Sequence, residues 1–365
     1  MNILSKVNLE MHKKRPQTPK DKILTLWQPE KGFIHCCIQS RGCRYSRNAG
    51  ACIMCDYGIG CNVSAEELAL ALEKELAPCV PYTDKMLFGT YGSIFDESEI
   101  SAECLDVILD FIRKYQIPTV IFETHCETVS EAKLQWIKES ISPDTDVIIE
   151  MGYETCDTYV LHRCLNKVLE LEVLEKAIDL VETMEMSVCL NVFVGAPFLN
   201  ASDQMETACK SIQWAVERKV DSLVLFPANI KPFTLLHKLY LAGQYQSVSQ
   251  WMLPLLFSEL TEDVLERISL SWYGDRQNFY ENNEYPLLPP EDCESCHDEL
   301  FSFYGDFLRA KRGAERKRLT EALLAKEMGC DCREKLIEEL KNHPVRKSEE
   351  EIEQIVLSLE LLSEK

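Results

Sequence analysis

Residues 32–58 read GFIHCCIQSRGCRYSRNAGACIMCDYG. The first eight, GFIHCCIQ (32–39), form a short apolar run with the composition of a buried strand. The remainder carries Cys43, Cys52 and Cys55 among the glycines Gly42, Gly50 and Gly58, with Gly60 just beyond. Those glycines give the backbone freedom to wrap around a bound group. A strand running into such a loop, with a helix behind it, reads as the first βα unit of a parallel sheet.

Working outward, the same alternation continues. SAEELALALEKELA (64–77) reads as a helix with Ser64 as N-cap and Glu67 completing a capping box. KMLFGT (85–90) reads as a second strand, SAECLDVILDFIRKY (101–115) as a helix, and TVIFET (119–124) as a third strand. DVIIEMG (146–152) is the fourth, followed by the helical LEVLEKAIDLVETM (171–184). SVCLNVFVGAP (187–197) and DSLVLFPA (221–228) are the fifth and sixth, and ISLSWYG (268–274) looks like one more. Strands alternating with helices of this length imply an α/β fold with a parallel sheet. Six units fit a partial (β/α)6 TIM-like barrel with its site on the loops at the strand C-termini. A doubly wound sheet is the alternative. The expected organisation is an N-terminal arm (1–30), a (β/α)6 core (31–255) and a C-terminal Cys-containing extension (256–365).

Composition narrows the functions. The chain has 365 residues and a formal net charge of −21, from 39 Lys plus Arg against 60 Asp plus Glu. It lacks the global basic footprint of a nucleic-acid binder, although a local patch or a partner can supply one. No apolar run reaches the roughly 20 residues that span a bilayer, and the first residues lack the apolar core of a secretory signal. The expectation is cytoplasmic, with no membrane partner. Seventeen cysteines, an odd number, argue for reduced thiols with some bound to metal rather than for disulfides. No Walker loop, HExxH helix or Ser-His-Asp ordering is present.

Cys43, Cys52 and Cys55 supply three thiolates from one loop. Three thiolates on a [4Fe–4S] cube leave one iron without a protein ligand. That iron can chelate the amino and carboxylate groups of S-adenosylmethionine (SAM), and an electron from the cluster then breaks the S–C5′ bond. Half of a zinc site and unligated core cysteines are the alternatives.

The stretch QSRGCRYSRNAGACIMCDYG (39–58) resembles the cluster loop of the radical SAM subunit of archaeosine synthase, whose wider relatives include the Elongator catalytic subunit. The resemblance continues in LFGTYGSIFDESEI (87–100), VIFETHCE (120–127), EMGYETCDTYVLHRCLNK (150–167), APFLNASDQ (196–204) and LFPANIKPFTLLHKL (225–239). The late CESC (293–296) and GCDCREK (329–335) also have counterparts, so it covers about residues 20 to 340. Two features depart from that family. The gap from Cys43 to Cys52 is one residue longer, and Glu123-Thr124-His125-Cys126-Glu127 stands where an Arg-containing segment is usual.

The resemblance implies a radical SAM barrel, a [4Fe–4S] cluster on Cys43, Cys52 and Cys55, SAM as cofactor, and an external electron donor of flavodoxin or ferredoxin type. It places the methionine end of SAM near the turn with Gly89, Gly92 and Ser93, which by residues alone is an ordinary βα turn, and adds Tyr57 to the SAM-binding set. Glu123 and Glu154, at strand ends, can meet the SAM ribose or ammonium, or be solvated loop acids. Arg163 can pair with the SAM carboxylate, or lie on a helix surface. Asn191, Asn229 and Lys231, which follow or end later strands, are the substrate-side residues.

Cys293, Cys296, Cys330 and Cys332 form a second group, able to close a Zn²⁺ site or hold an auxiliary Fe–S cluster. Between the pairs lies RAKRGAERKR (309–318), a dense basic run that is either a phosphate-binding edge or a solvated helix face. The favoured function is a radical SAM enzyme abstracting hydrogen from a small-molecule conjugate or amino-acid-derived substrate. The alternatives are tRNA modification of the archaeosine synthase type through a partner protein, with C–N cleavage on a lysine–deazaguanine adduct, and a non-catalytic zinc-stabilised binding module.

Overall fold

Seven β-strands run parallel and side by side in chain order, with an eighth antiparallel at one edge. The computed structural model describes residues 2–15, 19–57, 60–271, 290 and 292–362. Its sheet comprises β1 (Leu24–Glu30), β2 (Phe33–Ile38), β3 (Lys85–Thr90), β4 (Thr119–Thr124), β5 (Asp146–Glu154), β6 (Ser187–Val194), β7 (Ser222–Pro227) and β8 (Ile268–Leu270). β1 pairs antiparallel with β2, and every later pair is parallel. Consecutive strands lying next to each other with helical crossovers curl a sheet in one direction, and here side chains from β2 through β8 all face one chamber. The result is an open half-barrel, the partial-barrel class read from the sequence.

Two strands extend that reading. Leu24–Glu30, expected in an N-terminal arm, is the sheet's outer strand, and β8 lies beyond the expected end of the core at residue 255. Pro29 is tolerated in β1 because an edge strand leaves one set of N–H positions unpaired. β8 covers only the first three residues of ISLSWYG; residues 272–274 lie outside the described residues.

Helices pack the sheet's outer face. Ser64 and Glu67 form the expected capping box at α3 (Ala65–Ala71), after the short α2 (Arg44–Ala49) of the cysteine loop. α4 (Ala102–Tyr115) is capped by Ser101 and buries Leu105, Ile108, Leu109 and Ile112. Each such side chain contributes roughly 1.5–3 kcal/mol when fully buried. α5 (Glu131–Ser140), α6 (Leu171–Thr183) and α7 (Ala201–Glu217) complete the outer layer.

A second apolar cluster sits at the C-terminal end of the strands. The expected arm contains α1 (Ile3–His12), N-capped by Asn2, whose Leu4 and Val7 pack with Leu235 and Leu239 of α8 (Leu235–Leu241). Ile352 and Val356 of the helix Glu349–Leu362 close the same cluster. This small core bears directly on the cysteine loop, because Ile53 and Met54, the two residues inside the CxxC pair, are part of it.

Candidate active site

The half-barrel encloses a cavity of ≈ 1310 Å³ that opens at the strand C-termini. Its wall is the inward-facing set of alternate residues from each strand. Glu123, Glu150, Cys189 and Ser222 are register partners across β4, β5, β6 and β7. One step nearer the mouth, Gly152, Asn191, Val224 and Ser269 form the next layer.

Cys43, Cys52 and Cys55 all line this cavity, at its mouth. The loop between them is held from outside by α1. Asn8 donates to the carbonyls of Gly50 at 2.6 Å and Cys52 at 3.2 Å, and accepts from the Leu235 amide at 2.8 Å. His12 contacts Ser46 Oγ at 3.0 Å and the Cys55 carbonyl at 2.8 Å. Asn166 donates to the Ala51 carbonyl at 2.8 Å. Gly50 takes φ +84°, and a Cβ there would stand 2.3 Å from the Ser5 carbonyl, so α1 approaches the loop backbone as closely as glycine permits. Burial raises all three thiols; Cys43 is pushed up to about 12, with the neighbouring Cys55 adding to the effect.

The three sulfurs do not form a mutual set within 4.8 Å, as ligands of a single ion would. Thiolates on separate corners of a multi-iron cube stand further apart than that. Cys43 does lie within 4.8 Å of ligand atoms of Glu99 and His125. Glu99, however, already accepts the amides of Arg44 at 2.6 Å and Ser93 at 2.7 Å, which gives it a loop-bracing role.

Around the glycine turn, the expected SAM residues divide. Gly92 and Tyr57 line the cavity. A Cβ on Gly92 would meet Glu99 Oε2 at 2.0 Å and the Cys43 Cα at 2.8 Å, so this position must be glycine for the two loops to meet. Gly89 lies beneath the Glu123 carboxylate, whose Oε2 is 2.6 Å from where its Cβ would be. Ser93 is buried behind the wall, where its hydroxyl bonds Thr124 at 2.6 Å and Thr128 at 2.9 Å and accepts the His125 amide at 3.1 Å. The structure therefore gives Ser93 a bracing role, and no lining position.

Glu154 faces the cavity and Arg163 does not. Glu154 sits at φ +69° beside a register shift between β5 and β6, which turns its side chain inward. Its partner is Lys167 at 3.0 Å, inside the cavity and next to Cys52. Arg163 instead pairs with Glu349 at 2.7 Å on the outside. The cause is the π-helical turn Val160–Cys164, which directs Arg163 outward while Lys167, four residues on, reaches in.

All three substrate-side residues line the cavity. Asn229 donates to the Pro227 carbonyl at 3.1 Å. Lys231 pairs with Asp56 at 3.0 Å and lies 4.4 Å from the centre of the Tyr57 ring. Asn191 is buried, with its Oδ1 unpartnered. Sequence reasoning passed over Lys167, Asp56, His125 and Glu150. Of these, Glu150 had a signal: an acid in the middle of the apolar strand DVIIEMGYE, on the alternation that faces the barrel. Burial raises both Glu123 and Glu150, and each carboxylate's neighbour reinforces the shift in Glu123.

The late cysteines converge. Sulfurs of Cys293, Cys296, Cys330 and Cys332 lie within 4.8 Å of one another. Cys293 and Cys296 sulfurs are 3.8 Å apart and those of Cys296 and Cys330 2.9 Å; a tetrahedron with Zn–S near ~2.3 Å has edges of about 3.8 Å, so the second pair would spread on binding metal. The Trp251 indole donates to Cys296 Sγ at 3.2 Å, the kind of supporting contact that orients a thiolate ligand. This donor set fits a single structural metal better than a cube. It ties the helix Glu294–Arg309 to the helix Cys332–Leu340, which packs against α7.

The basic run is largely consumed by the fold. Arg316 is buried and donates to the carbonyls of Leu265 at 2.6 Å, Ile268 at 2.5 Å and Ala310 at 2.8 Å. Lys317 caps the carbonyls of Ser258 and Leu260 at 2.7 and 2.9 Å. Arg309 pairs with Asp306 at 2.5 Å. The run therefore stitches the helix Glu262–Arg267 and β8 to the C-terminal helices, and does not present a continuous phosphate-binding edge.

No family model matches the chain. An uncharacterized protein of Methanocaldococcus jannaschii is 20% identical over 274 residues, which cover 70% of this chain and 74% of that protein. Among solved structures, the archaeal Elp3 of Methanocaldococcus infernus is similar with TM-score 0.42 and 15% identity, over 57% of this chain and 51% of that one. A queuine lyase from Clostridium spiroforme, bound to SAM and queuine, has TM-score 0.39 and 20% identity over 55% of this chain and 78% of its own. The radical SAM methyltransferase TsrM of Kitasatospora setae, with cobalamin and a [4Fe–4S] cluster bound, has TM-score 0.39 and 11% identity over 56% of this chain. This chain spans 36% of that methyltransferase's length. Coproporphyrinogen III oxidase (HemN) of Escherichia coli, a radical SAM enzyme, is also similar, with TM-score 0.37 and 15% identity over 55% of this chain and 44% of its own. Among the described residues no helix is long and apolar enough to cross a membrane.

Proposed function

We propose that the chain is a radical SAM enzyme acting on a small molecule enclosed in the half-barrel. The observation that carries this reading is the placement of Cys43, Cys52 and Cys55 together on the mouth of one large, polar-lined cavity. The residues present fit a [4Fe–4S] cluster: three thiols on one cavity and a loop braced from outside by α1. When bound there, the cluster supplies the electron that cleaves SAM and releases a 5′-deoxyadenosyl radical for hydrogen abstraction.

The chain's own residues then have separable tasks. Gly92 lets the turn after β3 approach the Cys43 loop, leaving backbone groups to meet the methionine end of SAM. Glu123 and Tyr57 line the adjacent wall, and the Glu154–Lys167 pair places one charge of each sign beside Cys52. Lys231, Asn229 and Asn191 face the chamber from the opposite strands and would orient the substrate. The enclosing walls exclude water from a reactive radical.

A small substrate is favoured over tRNA on two grounds. The net charge of −21 repels polyanions, and Arg316 and Lys317 are engaged within the fold. The late tetrathiol site is assigned a structural Zn²⁺. The test is metal and sulfide analysis after anaerobic purification and reconstitution. The reading requires iron and acid-labile sulfide in the wild type, both lost when Cys43, Cys52 and Cys55 are replaced with Ala. Zinc without labile sulfide would instead establish the binding-module alternative.

A further inference from the structure

Deep in the cavity, below the level of the cysteine loop, charge and hydrogen bonding are left incomplete. Lys22, Lys167 and Lys231 line the chamber toward its mouth, and the last two are taken: Lys167 by Glu154 and Lys231 by Asp56, each at 3.0 Å. Glu123 and Glu150, adjacent in register on β4 and β5, have no ion-pair partner among the described residues. Lys85, further down, directs its ammonium over the Phe33 ring at 4.3 Å, and its charge offsets part of the burial effect on Glu150 without forming an ion pair. Asn191, one layer nearer the mouth on β6, hydrogen-bonds the Glu150 carboxylate, and this requires its Nδ2 to donate. Its Oδ1 is then left over, and that oxygen has no partner although the residue is only 5% exposed. A buried amide oxygen without a donor is uncommon in folded proteins. Here it faces the same space as two unpaired carboxylates.

Two carboxyl groups and the spare Asn191 oxygen, on three neighbouring strands, outnumber the one donor among them, the Asn191 Nδ2, and suit a group that brings several N–H groups and a positive charge. We infer that this layer of the chamber is a subsite for a cationic N–H donor group of the substrate, an ammonium or an amidinium, held by Glu150 and Asn191 with Glu123 alongside. The inference rests on the cavity being the substrate chamber, and adds which end of the substrate enters below the cysteine loop. An anionic head would meet two carboxylates there, and a plain alcohol could not supply enough donors. The protein's net negative charge of −21 also favours approach of a cation.

The test uses the reconstituted holoenzyme with SAM, titrated with n-butylammonium and with butyramidinium while ligand NMR signals are followed. 1-Butanol and butyrate serve as the neutral and anionic counterparts. The cations should bind at least tenfold more tightly than either counterpart; which of the two binds better identifies the head group. Glu150→Gln and Asn191→Leu should each weaken cation binding by tenfold or more, and Glu150→Asp should retain most of it. Thermal unfolding of each variant shows whether it folds, and Asn191→Leu carries the test if Glu150→Gln does not. Equal binding of butyrate or butanol, or unchanged cation binding in a folded Glu150→Gln or Asn191→Leu protein, would overturn the inference. The two readings fail separately. Cation binding without any 5′-deoxyadenosine formation removes the radical chemistry and keeps the subsite. SAM cleavage without cation selectivity removes the subsite and keeps the chemistry.

Discussion

A single methyl group is enough to separate the cysteine loop from the turn that faces it. Gly92 has the Cys43 Cα and the Glu99 carboxylate within the space a Cβ would occupy, and the Cys43 backbone has little room to retreat. Gly92→Ala is therefore expected to lower iron content and SAM affinity by tenfold or more while the barrel still folds, as iron analysis and equilibrium SAM binding would show; wild-type iron content in that variant would contradict the geometry. Lys167 offers a second test. It and Glu154 are 12% and 13% exposed, and removing one member of a buried pair strands the other at a cost of about 3–5 kcal/mol. Lys167→Met should lower the unfolding midpoint in denaturant accordingly, and adding Glu154→Gln should recover much of the loss. An additive double variant would show that the pair is not coupled. Lys167 was hard to read from sequence because Arg163 is equally plausible in LHRCLNK until the π-turn fixes which of them faces inward. Glu150 was legible as a charge inside an apolar strand, whereas the spare oxygen of Asn191 exists only once β5 and β6 are in register.

At the level of elements, the parallel strands and their helices follow from alternation and capping, and β2 through β7 lie where the periodicity puts them. The N-terminal segment was the larger surprise. ILSKVNLEMH carries an Asn N-cap and apolar residues four apart, but the lysines and prolines after it favour an arm, and nothing local reveals that its apolar side covers Ile53 and Met54. The long-range bonds of Asn8 make α1 a brace for the cysteine loop, so Asn8→Ala should speed iron release to a chelator several-fold without altering the barrel's secondary structure. Release at the wild-type rate would reduce α1 to a packing role. The late cysteines were legible as a ligand set from spacing alone, and their convergence depends on two helices meeting against α7. Cys296→Ser is expected to abolish stoichiometric zinc and lower the thermal midpoint, while the iron on the other loop remains. Loss of both metals together would mean that the tetrathiol site shapes the whole barrel.

For the whole molecule, the proposal of a small substrate rests on the half-barrel with its thiol-lined mouth and on the net charge of −21. The basic run shows why charge composition had to be checked against structure: in sequence it looks like a phosphate-binding edge, and in the fold Arg316 is 6% exposed and tied to four backbone carbonyls. Tests of tRNA binding by charge reversal belong at Arg312 and Arg318, which are exposed, because reversing Arg316 would damage the fold. Binding to bulk tRNA should be weak at physiological salt and little changed by reversing those two arginines. The central claim, however, concerns the three thiols. The direct measurement is 5′-deoxyadenosine released from SAM by the reconstituted protein under dithionite, without oxygen. The wild type should form it, and the variant with Cys43, Cys52 and Cys55 replaced by Ala should form none; equal product from the two proteins would contradict the account.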